Sequence, residues 1–333
     1  MGVQAQTASG RAVGTLPETM RAAAIDRFGG PDVLTIHELP VPEPDAAEVL
    51  IAVDTAGVGS WDVDMREGWW PGGKPRFPLV LGTDGAGIVA AVGADVRRLR
   101  VGDAVYSYSW MNPKGGFYAE YVAVPEETAA SIPPSLDLEH AGAIPTIGLT
   151  ALQGIEDALR VKPGETVIVH GASGGVGHLA VQFAKLAGAR VIGTARGDDG
   201  VAFVRSLGAD AAVDGAAEDI AAAAGRVAPD GVDAVLGTAG GKALERCIDT
   251  VRPGGRVAYP NGVEPEPRKR QGIDLVVYDA VVGVQEFDRL TLAVEAAKLI
   301  VRIAGEYPLP DAAEAHRRLA RGHVLGKIVL RVA

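Results

Sequence analysis

Two stretches of this 333-residue chain carry residue types suited to chemistry. In the first, the apolar run Thr166-Val-Ile-Val-His170 leads directly into Gly171-Ala-Ser-Gly-Gly-Val-Gly177. Val176, Leu179, Ala180, Phe183, Ala184 and Ala187 then recur at helical spacing, Gly188 closes the helix, and residues 190–194 read as a second strand. A strand, glycine turn, helix and strand in this order turn backbone N–H groups and the positive end of a helix towards a pyrophosphate. Gly174 lets the backbone approach the phosphates, Gly175 eases the turn, and Gly177 permits close helix–sheet packing; Ser173 and Val176 complete the cradle. Ala172 replaces the first glycine of the dinucleotide fingerprint. The second stretch, Gly57-Val-Gly-Ser-Trp-Asp-Val-Asp-Met-Arg-Glu-Gly-Trp-Trp-Pro71, places three tryptophans and three acids within fifteen residues of a chain that has four tryptophans. Such crowding suits either packed core or the wall of a site, because indole offers broad stacking area and one N–H donor.

The end of the second strand bears on which nucleotide fits. NAD sites place an acid there to hold the ribose hydroxyls, about twenty residues beyond the turn. Here the strand ends Gly193-Thr-Ala-Arg196. Arg196 is suited to a 2′-phosphate through its bidentate fork, which favours NADPH, although Asp198 and Asp199 follow closely. Gly171-Ala-Ser-Gly-Gly175 also satisfies the hydrolase pattern G-x-S-x-G, but the added Gly177 makes a phosphate turn the better account of Ser173. Six histidines show no metal-binding spacing. The single cysteine, Cys247, excludes an intrachain disulfide, and with Leu244, Ile248 and Val251 it reads as buried helix.

The elements that must hold these groups divide by rhythm. Residues 22–25, 49–53, 87–92, 104–107 and 119–124 are short β-like runs broken by glycine and proline, which predicts a mostly antiparallel, barrel-like unit over 20–143. Over 144–283 apolar runs alternate with alanine-rich helical segments, the pattern of a parallel α/β sheet. In the tail, 284–333, Asp311-Ala-Ala-Glu314 predicts a capping box opening a helix, and residues 327–332 predict a closing strand. Residues 1–19 lack an apolar centre and are expected to be a disordered leader without a secretory signal. A formal net charge of −10 argues against nucleic acid as a partner, and no apolar run approaches a membrane span. A cytoplasmic location is the default expectation.

In their order and spacing, several further pieces with the glycine turn resemble the medium-chain dehydrogenase/reductase superfamily, in its zinc-independent, zeta-crystallin-like quinone oxidoreductase branch. They are Phe28-Gly-Gly-Pro-Asp-Val-Leu34, Leu81-Gly-Thr-Asp-Gly-Ala-Gly-Ile-Val89, Val101-Gly-Asp-Ala-Val105, Gly116-Phe-Tyr-Ala-Glu-Tyr-Val122, Val161-Lys-Pro-Gly-Glu165, Leu207-Gly-Ala-Asp210 and Gly326-Lys-Ile-Val-Leu330. The resemblance implies an α/β protein. A GroES-like β-barrel catalytic domain, 20–143 with 284–333, is interrupted by a Rossmann NADP-binding domain with a doubly wound parallel sheet, 144–283. It also implies a homodimer through the edge of the nucleotide-domain sheet. Zinc-dependent members carry a cysteine where Gly59 stands, a His-Glu pair where Thr83-Asp84 stands and a cysteine or acid where Thr146 stands. Only Asp84 of these is a good ligand, so no zinc is expected.

The resemblance further implies the site. NADP(H) is expected to contact Thr146, Thr150, Ser173, Gly174, Gly175, Val176 and Gly177. Thr194, Ala195 and Arg196 would follow at the second strand, and Thr238, Ala239, Tyr259, Asn261 and Lys327 beyond it. Gly59, Trp61, Trp69, Trp70 and Trp110 are expected to wall the acceptor pocket. Trp61, Trp70 and Thr150 are expected nearest the chemistry, with Trp70 replacing the family's tyrosine beside the nicotinamide. Asp62 reads first as a turn cap and second as an acid or base. Without a metal, hydride needs an acceptor that stabilises its own negative charge, such as a quinone or an α,β-unsaturated carbonyl. Two alternatives remain open: a pathway-specific enoyl or imine reductase, and an NADPH-binding protein with little turnover.

Overall fold

The computed structural model describes residues 16–70, 74–217 and 219–333. Strand β1 (Thr19–Ile25) pairs antiparallel with β2 (Thr35–Pro40); β3 (Glu48–Val58) runs directly into helix α1 (Ser60–Glu67). β4 (Leu79–Val80) returns to pair with β1. β5 (Asp84–Val92), β6 (Ala104–Tyr108), β7 (Tyr121–Pro125) and β8 (Ala129–Ser131) complete the first pass of the barrel-like unit. Thr19 already belongs to a strand, so the expected leader ends earlier than 19; its residues 1–15 lie outside the described residues. Two register breaks between β3 and β5, at Leu50/Ile51 and Val53/Thr55, bend the sheet into its barrel-like curl.

Helices α2 (Leu138–Ala143) and α3 (Pro145–Gln153) carry the chain across to a second sheet. There follow β9 (Thr166–His170), α4 (Gly175–Leu186), β10 (Arg190–Ala195), α5 (Gly197–Ser206), β11 (Ala211–Asp214) and α6 (Ile220–Val227). The run ends with β12 (Val232–Gly237), α7 (Lys242–Ile248), β13 (Val251–Pro260) and β14 (Asp274–Tyr278). The strand order is β11-β10-β9-β12-β13-β14, parallel throughout, with the first strand, β9, in the interior. All five β9 residues are buried, as expected of a strand covered by helices on both faces. Order reverses beside β9, which opens a crevice at the carboxyl ends of the strands.

The chain returns through α8 (Val284–Ala297), β15 (Ile303–Pro308), α9 (Ala312–Ala320) and β16 (Lys327–Arg331). β16 inserts between β15 and β3, so the last strand lies inside the catalytic sheet, not at its rim. The helix predicted after Asp311 forms, but without the expected capping box. A 3₁₀ turn over Leu309–Asp311 leads into it, Asp311 makes no side-chain cap, and Glu314 pairs with Arg317 and Arg321 instead. No helix among the described residues is long and apolar enough to cross a membrane.

Candidate active site

The glycine turn is built by close backbone approach. After β9, Gly171 takes φ +76°, a conformation that favours glycine, and a side chain there would collide with the Thr238 hydroxyl. Ala172 N–H donates to Thr194 O (2.8 Å), tying the turn to β10, and Thr238 Oγ1 donates to His170 O (2.7 Å), tying it to β12. A methyl group on Gly177 would run into the Gly171 carbonyl, so α4 can pack this tightly only with glycine there. Gly174, extended at φ −81° and ψ −175°, caps α4 without a side-chain bond, leaving the first N–H groups of the helix open to a ligand.

The turn borders a cleft of about 700 Å³. Ser173, Gly174, Gly175 and Val176 form its floor, Thr194, Ala195 and Arg196 one end, Thr238 and Ala239 the middle, and Gly59, Ser60 and Lys327 the side nearest the barrel. Arg196, Lys242, Arg246 and Lys327 line it, and among the described residues no Asp or Glu does. In a protein of net charge −10 this is a local inversion of sign that suits phosphates. Asp199, one of the acids that closely follow Arg196, pairs with His323 (2.9 Å) and accepts from Gly200 N–H (2.8 Å). Asp214, unread in the sequence, ends β11 beside Arg196. N–H bonds from Ala216 and Gly197 hold its carboxyl below the usual range, with Arg196 adding to the effect. His170 bonds Thr194 Oγ1 through Nδ1 (2.7 Å), and burial lowers its pKa to about 4, so it lines the cleft as a neutral ring.

A second cleft of about 660 Å³ meets the first at Gly59, Ser60, Ile147, Val176, Thr238, Ala239 and Lys327. Three tryptophans wall it. The Trp61 and Trp69 rings lie 5.1 Å apart, Trp69 and Trp110 5.9 Å, and Trp61 and Trp110 6.1 Å, all within the range of favourable aromatic pairs. Trp61 lies against Gly262 of the nucleotide unit, where an added Cβ would be 3.4 Å from the ring. Trp69 and Trp110 keep exposed surface. Asn261, Thr146 and Thr150 also line this cleft. The Thr150 hydroxyl donates to Thr146 O (2.8 Å), whereas the buried Thr146 hydroxyl has no partner.

Three expected site residues are not in either cleft: Gly177, buried in α4 where it packs against the turn, Trp70 and Tyr259. Trp70 packs against the barrel core and borders a small separate recess with Met65, Val80, Leu81 and Met111. The cause is the end of α1: Gly68 turns left-handed (φ 114°) and Trp69 N–H bonds back to Asp64 O (2.9 Å), so the adjacent indoles part company. Tyr259 is buried among Ile220, Leu244 and Cys247, in the core cluster on one face of the sheet, while Pro260 and Asn261 reach the cleft. Side chains alternate along a strand, and Tyr259 has the wrong parity. Conversely, Tyr108 lines the second cleft and was not anticipated; burial, then Asp84, raises its phenol above the ordinary range.

Beneath the junction lie Asp62, Asp84 and Lys327. Asp62 Oδ2 accepts from Gly59 N–H (2.8 Å) and Oδ1 from Thr83 N–H (3.1 Å), so it caps α1 and clamps it to the start of β5. Burial, reinforced by Asp84, raises its pKa to about 7. Behind it runs a fully internal chain. The Arg66 guanidinium can only donate, so His316 Nδ1 (2.9 Å) accepts, and His316 Nε2–H then donates to the Tyr118 hydroxyl (3.1 Å), which interacts with Asp62. Arg66 is also bonded to Gly29 O and paired with Glu67.

These residues do not fit a catalytic zinc. Asp84 Oδ2 is occupied by Thr146 N–H (2.9 Å) and its Oδ1 faces the Lys327 ammonium at 3.8 Å, with both side chains almost wholly buried. An added Cβ on Gly59 would stand 3.5 Å from Lys327 Nζ. A lysine cation thus sits against the position where a metal would need three protein ligands, and Gly59, Thr83 and Thr146 bring no thiolate, imidazole or carboxylate.

Comparisons with known proteins agree with this architecture. Residues 45–134 match the family model of the alcohol dehydrogenase GroES-like domain, and residues 175–271 that of the zinc-binding dehydrogenases. A quinone oxidoreductase of Lama guanicoe is 33% identical over 328 residues, covering 93% of this chain and 97% of that protein. The crystal structure of an NAD-dependent alcohol dehydrogenase superposes with a TM-score of 0.87 at 34% identity, covering 94% of this chain and 100% of that one. A mycobacterial protein solved with NADPH superposes at 0.82 with 29% identity and the same coverage. The chain is an oxidoreductase of the medium-chain dehydrogenase/reductase superfamily, in its quinone oxidoreductase branch.

Proposed function

We propose that this chain is an NADPH-dependent reductase that delivers hydride to a quinone or to the C=C bond of an α,β-unsaturated carbonyl without the help of zinc. The observation that carries this is the meeting of two unlike clefts: a basic, glycine-floored one and a tryptophan-walled one, sharing Gly59, Val176 and Lys327. NADPH, when bound, supplies the hydride. Gly174, Gly175 and the open N–H groups of α4 would hold its pyrophosphate, and Arg196, beside Lys242 and Arg246, would meet the additional 2′-phosphate. Trp61, Trp69 and Trp110 would stack a planar acceptor against the junction and exclude water from it. An acceptor of this class delocalises the incoming charge, in keeping with a site whose donor set suits a lysine and not a metal.

Stopped-flow absorbance at the reduced-nicotinamide band, with a panel of quinones and enones, tests the proposal. Oxidation of bound NADPH by members of the panel is expected; protein that binds NADPH and oxidises it with none of them would act as a binder only. The reading includes a cytoplasmic homodimer joined through β14, the edge strand of the nucleotide sheet, where Val277 is exposed. Sedimentation equilibrium checks that part.

A further inference from the structure

We propose that Lys327, in the cleft that Thr146 also lines, forms the receiving site for the acceptor's carbonyl oxygen, and that the lysine ammonium protonates that oxygen. Lys327 has this role only if the chain is the reductase proposed above. Its side chain is 5% exposed, it lines both clefts at their junction, and it starts a strand held on both sides within the catalytic sheet. Its one ionic partner among the described residues, Asp84 Oδ1, lies at 3.8 Å, beyond hydrogen-bond distance, and that oxygen has no hydrogen-bond partner among them. The ammonium N–H groups therefore have no protein acceptor within bonding distance among the described residues. Thr146 Oγ1, also buried, likewise lacks a partner. An ammonium with unspent donors at the junction of the two clefts marks where an oxygen with growing negative charge would complete the bonding. Asp84 keeps the cation in place electrostatically without consuming its donors.

For a conjugated ketone the balance is as follows. The β-carbon accepts hydride from the reduced nicotinamide and a new C–H bond forms, which oxidises the cofactor. The C=C electron pair shifts towards the carbonyl, and its oxygen becomes negative. One Lys327 Nζ–H bond breaks as the proton joins that oxygen, giving an enol and a neutral amine. Water returns a proton to the amine, and the enol becomes the ketone in solvent.

The test uses Lys327→Met and the double variant Lys327→Met/Asp84→Asn, which removes both buried charges in case the single change unfolds the barrel. Single-turnover stopped-flow with a cyclic enone and with a benzoquinone gives hydride transfer, and fluorescence titration gives NADPH affinity. The expected result is a loss of about 100- to 1,000-fold in hydride transfer to the enone. The loss should be markedly smaller with the benzoquinone, whose anion is more stable, and NADPH affinity should fall far less than the enone rate. Lys327→Arg, which keeps a donor cation, should recover part of the enone rate. Wild-type enone rates in both methionine variants would overturn the assignment. So would a loss confined to NADPH affinity, or a Tyr108→Phe variant that shows the enone-selective loss in place of Lys327. A wild-type protein that binds NADPH yet reduces neither acceptor removes the reductase itself, and this role with it.

Discussion

The two clefts that meet at Lys327 are built on opposite plans. The floor of the first is made of backbone and small side chains from one turn, Ser173–Val176, and the Lys and Arg side chains that line it meet no acid there among the described residues. The second is made of large side chains gathered from distant segments: Trp61 lies in the first turn of α1 and Trp69 just beyond its end, Trp110 follows β6, and Asn261 follows β13. Its rim includes the acids Glu264 and Asp279. A ligand of fixed chemistry is met by N–H groups that any sequence can supply once glycine opens the way. A ligand that differs between relatives is met by side chains, which can change without disturbing the fold.

This contrast can be broken most severely beneath the floor of the first cleft, where α4 packs against the turn. Gly177→Ala forces a methyl against the Gly171 carbonyl. Overpacking of this kind costs about 1–3 kcal/mol, and because the turn itself must move, NADPH titration should show the largest loss of affinity of any variant here. Arg196→Ala should raise KM for NADPH by about 10- to 100-fold, the worth of a charge-assisted contact, and leave KM for NADH nearly unchanged. Equal effects on both coenzymes would show that Arg196 does not meet the 2′-phosphate.

On the acceptor side, Trp61→Ala should lower kcat/KM for planar aromatic acceptors by about tenfold, from lost stacking, with NADPH affinity unchanged. Trp70→Ala sharpens the comparison, because its ring packs on the barrel core: melting temperature should drop while turnover holds. The smallest effect concerns acidity. His170, His178 and His316 have pKa values lowered by burial to about 4, 4 and 3, from 6.5. The folded protein therefore binds fewer protons than the unfolded chain between these values and 6.5, and stability rises with pH across that window. Asp62 opposes them: its raised pKa, about 7 against 3.8, means that stability is lost as pH rises towards 7. Denaturant midpoints measured from pH 4 to 6.5 should increase, and more steeply in Asp62→Asn than in wild type.

Much of this molecule was legible in the sequence, because its signals are local. Glycine spacing, a buried five-residue strand and a helical stripe locate the phosphate cradle without knowledge of anything distant. The alternation of apolar runs with helices likewise announces a parallel sheet. The errors arise where direction depends on a single backbone choice. Trp69 and Trp70 are neighbours, and only the left-handed Gly68 separates the one that walls the cleft from the one that packs the core. Tyr259 lies on a correctly identified strand end but on its other face. The pairing of Lys327 with Asp84, and of Arg66 with His316, joins residues far apart in the chain, and no periodicity carries that information. β15 also went unread, since its run Ile303-Ala-Gly-Glu-Tyr-Pro308 is half-exposed and weakly patterned.

The insertion of β16 between β15 and β3 has a consequence for biosynthesis. The nucleotide unit is continuous from Pro145 to Tyr278 and can close as the nascent chain emerges from the ribosome. The barrel cannot: Asp84 and the open side of β3 are made early, then wait for the final strand to bring Lys327 and fill the gap. Throughout that interval the Thr55–Val58 end of β3 offers an unpaired edge to any other chain nearby. The barrel unit thus becomes safe from misassembly later than the nucleotide unit, and it matures in the same step that delivers its lysine.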